Sequence, residues 1–162
     1  MERDLLSPVE FRRERALRRL GTRNPVCASC LGRRPWSWHP AALVLVQGRV
    51  ICRDCFAVAR GSRPYEDHHF LGQHNYELTV PTLGNLHAAL TDGQGDWPED
   101  TLRNPAASRL RRAAAERRSI ADLLSVQAEA FEVDAQFLER LDEALQAHHG
   151  PDWPRALGLV DG

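Results

Sequence analysis

The stretch that decides the fold is residues 27–55, CASCLGRRPWSWHPAALVLVQGRVICRDC. It contains all the cysteines of the chain as two Cys-x-x-Cys pairs: Cys27, Cys30, Cys52 and Cys55. Between the pairs, residues 42–46 and 49–51 have the composition of two short strands, and Gln47-Gly48 is typical of a tight hairpin turn. The sequence therefore predicts a β-hairpin that brings the two pairs together.

Paired cysteines at this spacing are typical of a closed, tetrahedral zinc site. The two-residue gap lets each pair hold the ion in a tight knuckle. Disulfides are one alternative, although nothing else in the sequence indicates an oxidising compartment. An iron–sulfur cluster is the other, and the symmetric pairs argue against it. We predict one structural Zn²⁺ bound by all four thiolates, which leaves no cysteine for catalysis.

The length of 162 residues suggests one compact domain or two small ones. Hydrophobic residues make up 43% of the chain and charged residues 27%, which is a normal globular balance. The apolar run at residues 41–46 is far too short to cross a bilayer. Residues 1–20 are charged throughout and lack the apolar segment of a secretory signal. We therefore expect a cytoplasmic protein with no membrane partner.

The positive charge is all arginine and lies mostly in the first part of the chain. Residues 1–63 hold 13 arginines and 5 acidic residues, a net charge of +8, whereas residues 64–162 hold 8 arginines and 17 acids, a net charge of −9. A basic half is a recognised indication of nucleic-acid contact; the alternative is that the two halves balance each other. We expect nucleic acid, DNA in particular, to be bound by a set of arginines: Arg12, Arg13, Arg33, Arg34 and Arg63.

Helix and turn signals divide the chain into four segments of an α+β protein. They are a basic N-terminal helix over residues 1–22, a four-cysteine zinc module over 23–63, a histidine-rich hairpin, helix and linker over 64–104, and a C-terminal helical pair with a tail over 105–162. Asn85 is expected to cap a helix, and Asn104-Pro105 to start the first helix of the pair, over residues 106–130. The second is expected over 133–148. The two helices are expected to bind each other or a protein partner.

A second group of candidate functional residues lies within residues 66–90, EDHHFLGQHNYELTVPTLGNLHAAL. His68-His69, then Asn75, then His87 resembles the HNH endonuclease motif. In that family a histidine pair lies on the first strand of a hairpin, an asparagine in the loop, and a histidine at the start of the helix. The resemblance is close over residues 66–90 and loose over 24–105. It implies a ββα-metal (His-Me finger) hairpin and helix, preceded here by a zinc-ribbon or treble-clef module.

The resemblance also implies roles for these side chains. His69 would be the general base that takes a proton from the attacking water, and Asn75 would fix the loop and orient His69. His68 and His87 would hold a catalytic divalent cation such as Mg²⁺, with Asp67 as a further candidate ligand. The activity implied is metal-dependent hydrolysis of DNA phosphodiester bonds, as in bacterial and phage HNH nucleases.

The chain also departs from the family pattern. Related HNH proteins often carry a Cys-x-x-Cys-His at the start of the helix, where this chain has Leu83 and Leu86. Its zinc pairs lie wholly upstream, and His74 beside Asn75 is a rival metal ligand. The alternative function is therefore a catalytically inactive HNH-like zinc protein that binds nucleic acid or a protein partner.

Overall fold

The computed structural model describes residues 7–158, apart from the side chains of Pro8 and Val9. It confirms a mixed α+β chain, with two small antiparallel hairpins and a helical C-terminal region. The chain divides into two compact units, Met1–Leu124 and Ser125–Gly162. The predicted helical residues 2–6 and the last residues of the predicted tail, 159–162, lie outside the described residues.

The described helices and strands follow one another in this order: α1 Pro8–Leu20, β1 Leu43–Val46, β2 Arg49–Cys52, α2 Arg53–Ala59, β3 Tyr65–His68, β4 Val80–Leu83, α3 Gly84–Gln94, α4 Glu99–Arg103, α5 Arg109–His149 and α6 Trp153–Ala156. A short 3-10 turn, Pro40–Ala42, precedes β1. In the first unit, α3 packs against this turn and against α2, β3 and β4. The first unit therefore joins both hairpins through α3.

Helix α1 is defined by its own end groups. Ser7 Oγ accepts a hydrogen bond from the Glu10 backbone, and Glu10 in return accepts one from the Ser7 backbone at 2.8 Å, which is a complete capping box. The helix ends at Gly21, whose φ of 69° lies in the left-handed region that glycine adopts without strain. Leu20, at the last turn, is buried against the cysteine-containing core. The helix is thus anchored to the cysteine region by its C-terminal end.

Strands β1 and β2 form the first hairpin, in the register Leu43 opposite Cys52. Gln47 and Gly48 both have positive φ, 49° and 75°, as a two-residue turn of this kind requires. Cys52 ends β2 and is also the N-cap residue of α2. The predicted hairpin is therefore present, and it delivers the second cysteine pair to a helix start.

Strands β3 and β4 form the second hairpin, with Tyr65 opposite Leu83 and His68 opposite Val80. Each strand has only four residues, so the predicted hairpin over the start of the 64–104 segment is present with short strands. Helix α3 follows β4 without a linker, and its N-cap residue is Leu83 rather than the predicted Asn85. The Asn85 side chain is instead used in a tertiary contact, which removes it from capping.

The prediction of a C-terminal helical pair is wrong. Residues 109–149 form one continuous helix, α5, with no break between residues 130 and 133. This segment contains neither glycine nor proline, so no residue in it interrupts the backbone hydrogen bonds. Its start also differs, because Asn104 is left-handed at φ 41° and its Oδ1 accepts from the Ser108 backbone at 2.9 Å. The predicted linker over residues 91–104 contains the end of α3 and all of α4.

The second unit contains the later part of α5 and the short helix α6. Trp153 Nε1 donates to Asp142 Oδ1 at 3.1 Å, which ties α6 to α5. Phe131, Phe137 and Leu138 of α5 are each more than half exposed. Within residues 7–158, no helix has both the length and the apolar character needed to cross a membrane.

Candidate metal centre and histidine hairpin

The four cysteines converge, as predicted. Their Sγ atoms all lie within 4.8 Å of one another, and those of Cys30 and Cys52 are 4.0 Å apart. Tetrahedral zinc with Zn–S bonds of about 2.3 Å needs sulfurs roughly 3.8 Å apart, so the thiols fit such an ion. The backbone N–H of Cys52 also donates to Cys27 Sγ at 3.2 Å. The cluster could therefore hold a metal ion such as zinc.

Each cysteine pair is presented by a different local structure. After the first pair, Leu31 has a φ of 53° and its backbone N–H donates to the Cys27 carbonyl at 2.8 Å, which closes a knuckle. The second pair lies at the start of α2, with Cys52 as its N-cap residue and Cys55 in its first turn. Helix N-termini favour negative charge, so this position suits thiolates.

The thiols titrate differently because their surroundings differ. Burial raises the pKa of Cys52 and of Cys55 above the ordinary thiol value. Burial acts in the same direction on Cys30, but hydrogen bonds to its sulfur, led by the Arg34 backbone, outweigh it and lower the pKa of Cys30 to about 6. A bound cation would favour all four thiolates together, which is the usual linkage between metal binding and proton release.

A reciprocal pair of hydrogen bonds joins the cysteine region to the histidine hairpin. Asp54, between Cys52 and Cys55, accepts from the Asn85 backbone at 3.0 Å, and Asn85 Oδ1 accepts from the Asp54 backbone at 3.2 Å. Asn85 Nδ2 also donates to the Pro35 carbonyl at 3.0 Å. Both Asp54 and Asn85 are essentially inaccessible to solvent. The start of α3 is thus fixed to the start of α2.

The second hairpin brings His68 and His87 together. His68 ends β3, His87 lies in the first turns of α3, and their ring centroids are 4.9 Å apart with the planes nearly perpendicular. Nδ1 of His87 is 2.7 Å from Oε2 of Glu66. Glu66 and His68 are two residues apart on β3, so both side chains point to the same face of the strand. The carboxylate beside the imidazoles is therefore Glu66, which the sequence prediction did not select.

His68 is only 2% exposed, and its edge contacts the Phe70 ring at a centroid distance of 5.4 Å. Burial, together with the neighbouring His87 and His69, lowers the pKa of His68 to about 4. His68 is consequently neutral at pH 7, which is the form in which an imidazole nitrogen can bind a metal.

Gln94, at the last turn of α3, holds the chain that follows β3. Its Nε2 donates to the carbonyls of His69 at 3.0 Å and Phe70 at 3.2 Å, and it lies 3.5 Å from Nε2 of His68. Nδ1 of His69 is shielded from solvent and has no hydrogen-bond partner among the described residues. Gln94 is thus a positioning residue for both histidines, and the sequence prediction missed it.

Asn75 is buried, as expected of a residue that fixes a loop, but its partners are not the predicted ones. Its Nδ2 donates to the carbonyl of Thr101 at 2.8 Å and more weakly to that of Leu102 at 3.4 Å. These carbonyls belong to α4, so Asn75 ties the loop between β3 and β4 to α4. Among residues 7–158, no hydrogen bond joins Asn75 to His69.

Two other predicted ligands lie away from the His68–His87 pair. Asp67 is exposed and, because strand side chains alternate, points away from the face that carries His68. His74 is also exposed and lines a different cleft with Tyr76 and Arg112. Neither Asp67 nor His74 therefore lies with the paired imidazoles of His68 and His87.

The predicted arginines fall into two groups. Arg12 is largely buried and forms ion pairs with both Asp92 and Asp96 of the α3 end, so its guanidinium is already occupied. Arg34 is half-buried, whereas the others are exposed on the first unit: Arg13, Arg33 and Arg63. The predicted contact of these residues with nucleic acid stays a prediction.

The two candidate sites differ in how far their ligands converge. Among residues 7–158, the four cysteines are the only group of three or more His, Cys, Asp or Glu side chains with all ligand atoms within 4.8 Å. Comparison with protein-family models, curated proteins and solved structures finds nothing that matches this chain. The function of the chain is therefore inferred from the chemistry of these residues.

Proposed function

We propose that this protein is a metal-dependent nuclease of the HNH type that hydrolyses DNA phosphodiester bonds at the second hairpin. The observation that carries the proposal is the β3–β4–α3 order. It brings the ring centroids of His68 and His87 to 4.9 Å and places Glu66 Oε2 2.7 Å from His87 Nδ1. This is the order of elements and the pair of imidazoles that the HNH resemblance implies.

His68, His87 and Glu66 are the residues that would hold the divalent cation. The carboxylate is a ligand that Mg²⁺ and Mn²⁺ prefer, and neutral imidazoles suit ions such as Ni²⁺, so this set would accept Mg²⁺ or another divalent cation. When bound, the ion would stabilise the negative charge that develops on the phosphate and the leaving oxygen.

His69 is the proposed general base. It follows the last residue of β3, and Gln94 fixes its backbone carbonyl. A neutral imidazole can accept a proton from water near neutral pH, which makes the water a better nucleophile. The attacking oxygen then forms a bond to phosphorus as the bond to the leaving sugar oxygen breaks.

The four-cysteine cluster is proposed to be a structural zinc site of the treble-clef type. A knuckle, a hairpin and a helix start supply its ligands in that order, and all four thiols point into one closed group. A closed shell of four thiolates has no open position for substrate, so its role is to stabilise the scaffold. Through Asp54 and Asn85 it supports the start of α3, two residues before His87.

The test is cleavage of supercoiled plasmid DNA by the full chain with Mg²⁺, Mn²⁺ or Ni²⁺. Wild type is expected to nick or cut the plasmid, and His69→Ala to lower the rate by about 10²–10⁴-fold, the usual contribution of a general base. His74→Ala is the matched control, since it removes an exposed histidine from the same loop. Zinc content and circular dichroism of all three proteins should agree.

A folded, zinc-loaded wild type that cleaves no DNA with any of the three cations would overturn the nuclease proposal. The incomplete convergence of Glu66, His68 and His87 favours a specific second candidate, which is a catalytically inactive zinc protein that binds nucleic acid. That candidate predicts DNA binding that is equal in wild type and in His69→Ala.

A further inference from the structure

A cleft in the first unit lies beside the histidine pair. Its volume is about 640 Å³, and α1 forms one wall while α3 forms the other. His87 and Arg53 both line the cleft. A group bound there would consequently lie next to the imidazole that contacts Glu66.

One face of α1 supplies three arginines to this cleft. Arg12, Arg15 and Arg19 are spaced by three and then four residues, which places them on one side of a helix. With Arg53, four arginines and two aspartates line the cleft, so its net charge is +2. Both aspartates are paired with Arg12. The positive charge that remains belongs to Arg15, Arg19 and Arg53.

These remaining guanidinium groups still have donors to offer. The Arg15 side chain is exposed and takes part in no hydrogen bond or ion pair within residues 7–158. Arg19 is exposed and uses one N–H to donate to the Leu43 carbonyl at 2.8 Å. Arg53 NH1 is 3.9 Å from Oε1 of Glu66, which is a loose contact.

We infer that Arg15, Arg19 and Arg53 bind phosphates of one nucleic-acid strand in this cleft and lead that strand to His87. The last step, delivery to His87, rests on the proposed nuclease function. Arg15 and Arg19 are about 6 Å apart along α1, and a strand of B-DNA presents one phosphate per roughly 3.4 Å of axis, so the two arginines span about two phosphate intervals. Arginine forks also suit bidentate contact with phosphate oxygens.

The experiment measures binding of the full chain to a fluorescent 20-base-pair DNA duplex without added divalent cation, at several salt concentrations. The salt slope is the slope of the logarithm of the binding constant against the logarithm of the salt concentration. Each lost phosphate contact is expected to reduce the magnitude of this slope by about 0.9 and to raise Kd on the order of tenfold at 0.1 M salt. Arg15→Gln should therefore lose one contact, and Arg15→Gln combined with Arg19→Gln should lose two.

Arg18→Gln is the matched control, because it removes the same charge from the same helix. Arg18 lies outside the cleft and pairs with Glu14 at 2.5 Å. It should leave the salt slope unchanged. Arg15→Gln removes no side-chain hydrogen bond or ion pair within the described residues, so this variant is expected to fold like wild type.

Failure of this inference can be told apart from failure of the proposed function. Unchanged slopes in the Arg15 and Arg19 variants, or an equal loss with Arg18→Gln, would overturn the phosphate cleft even if wild type cleaves DNA. A wild type that binds no duplex would overturn it as well. Reduced slopes in a protein that cleaves nothing would support the cleft and reject the nuclease.

Discussion

The cysteine hairpin with α2 and the histidine hairpin with α3 have the same order of elements, but only the first gathers its metal-ligating side chains into a closed group. Each has two four-residue antiparallel strands followed directly by a helix. A two-residue turn joins β1 to β2, whereas residues 69–79 join β3 to β4. The thiols of the first region form a closed group, and the imidazoles of the second do not. The same order of strands and helix therefore brings four ligands into one group in the cysteine region but only two imidazoles together in the histidine region.

The difference also decides what stabilises each region. The cysteine region has a buried core of its own, in which Leu20 and Leu43 surround the thiols. The histidine region is held by polar contacts beyond its two strands: the bonds from Gln94 to the chain after β3, the bond from Asn75 to α4, and the Asp54–Asn85 pair. We therefore expect destabilising substitutions in the cysteine region to affect both regions, and substitutions in the histidine region to affect that region alone.

Removal of one thiol should have the largest effect. Cys52→Ser leaves three sulfur ligands and a buried hydroxyl, and structural zinc in small domains contributes about 10–16 kcal/mol at pH 7. This is comparable to the whole stability of a domain, about 5–15 kcal/mol. The variant should no longer bind one zinc ion per chain, measured by elemental analysis. The midpoint temperature at which the cysteine region unfolds should fall sharply.

Ala28→Ser is the control for this variant, because it changes an exposed side chain inside the same knuckle. It should keep both the zinc and the midpoint temperature. If Cys52→Ser retains a full zinc equivalent and unfolds like wild type, the closed four-cysteine site is not what stabilises the first region.

The next effect concerns activity rather than folding. Gln94→Ala removes the donor to the carbonyls of His69 and Phe70, so the histidines lose their fixed position. Loss of such a supporting contact typically costs about 10–100-fold. We expect kcat for DNA cleavage to fall by this amount with KM nearly constant. An exposed glutamine, Gln73, changed to alanine is the control, and equal kcat in the two variants would rule out the positioning role.

Sequence spacing was sufficient for the cysteine region because local signals decide how its two distant thiol pairs meet. Each thiol pair is separated by two residues, and Gln47-Gly48 specifies the turn between the strands. The continuous helix α5 was also readable, since no breaker occurs in residues 109–149, and the prediction of two helices there overlooked this signal.

The histidine region could be read only in part. The order of its histidines predicted the approach of His68 to His87, but Gln94 and Thr101 meet this region across about 25 residues of chain. Such contacts depend on how α3 and α4 pack, which no local pattern specifies. Glu66 was within reach of a strand argument, because alternation places it beside His68 rather than with Asp67.

A third test addresses the junction between the regions. Asp54→Ala leaves the buried N–H of Asn85 without its acceptor, which should cost about 1–3 kcal/mol in the free energy of unfolding. Asp54→Asn keeps an oxygen at the same place and should retain most of that stability. Urea denaturation measures both. Equal destabilisation by the two variants would mean that the charge of Asp54, rather than its hydrogen bond, is what matters.

The smallest effects should come from the two connections. Gly48 has a φ of 75° and an added Cβ there meets no atom within 4 Å, so Gly48→Ala should cost only the left-handed strain, about 1–2 kcal/mol. Gly72 has nearly the same φ, 79°, but its Cβ would lie 3.3 Å from Leu102 Cδ1 and 3.6 Å from Asn75 Nδ2.

Because the backbone strain is matched, the difference between Gly48→Ala and Gly72→Ala in urea denaturation measures crowding alone. We expect the second variant to be the less stable of the two and to cleave DNA more slowly, since Leu102 of α4, whose carbonyl accepts from Asn75, must move by a few tenths of an ångström. If both lose the same stability and keep the same cleavage rate, the long connection tolerates change as freely as the short turn. The histidine region would then not depend on its loop.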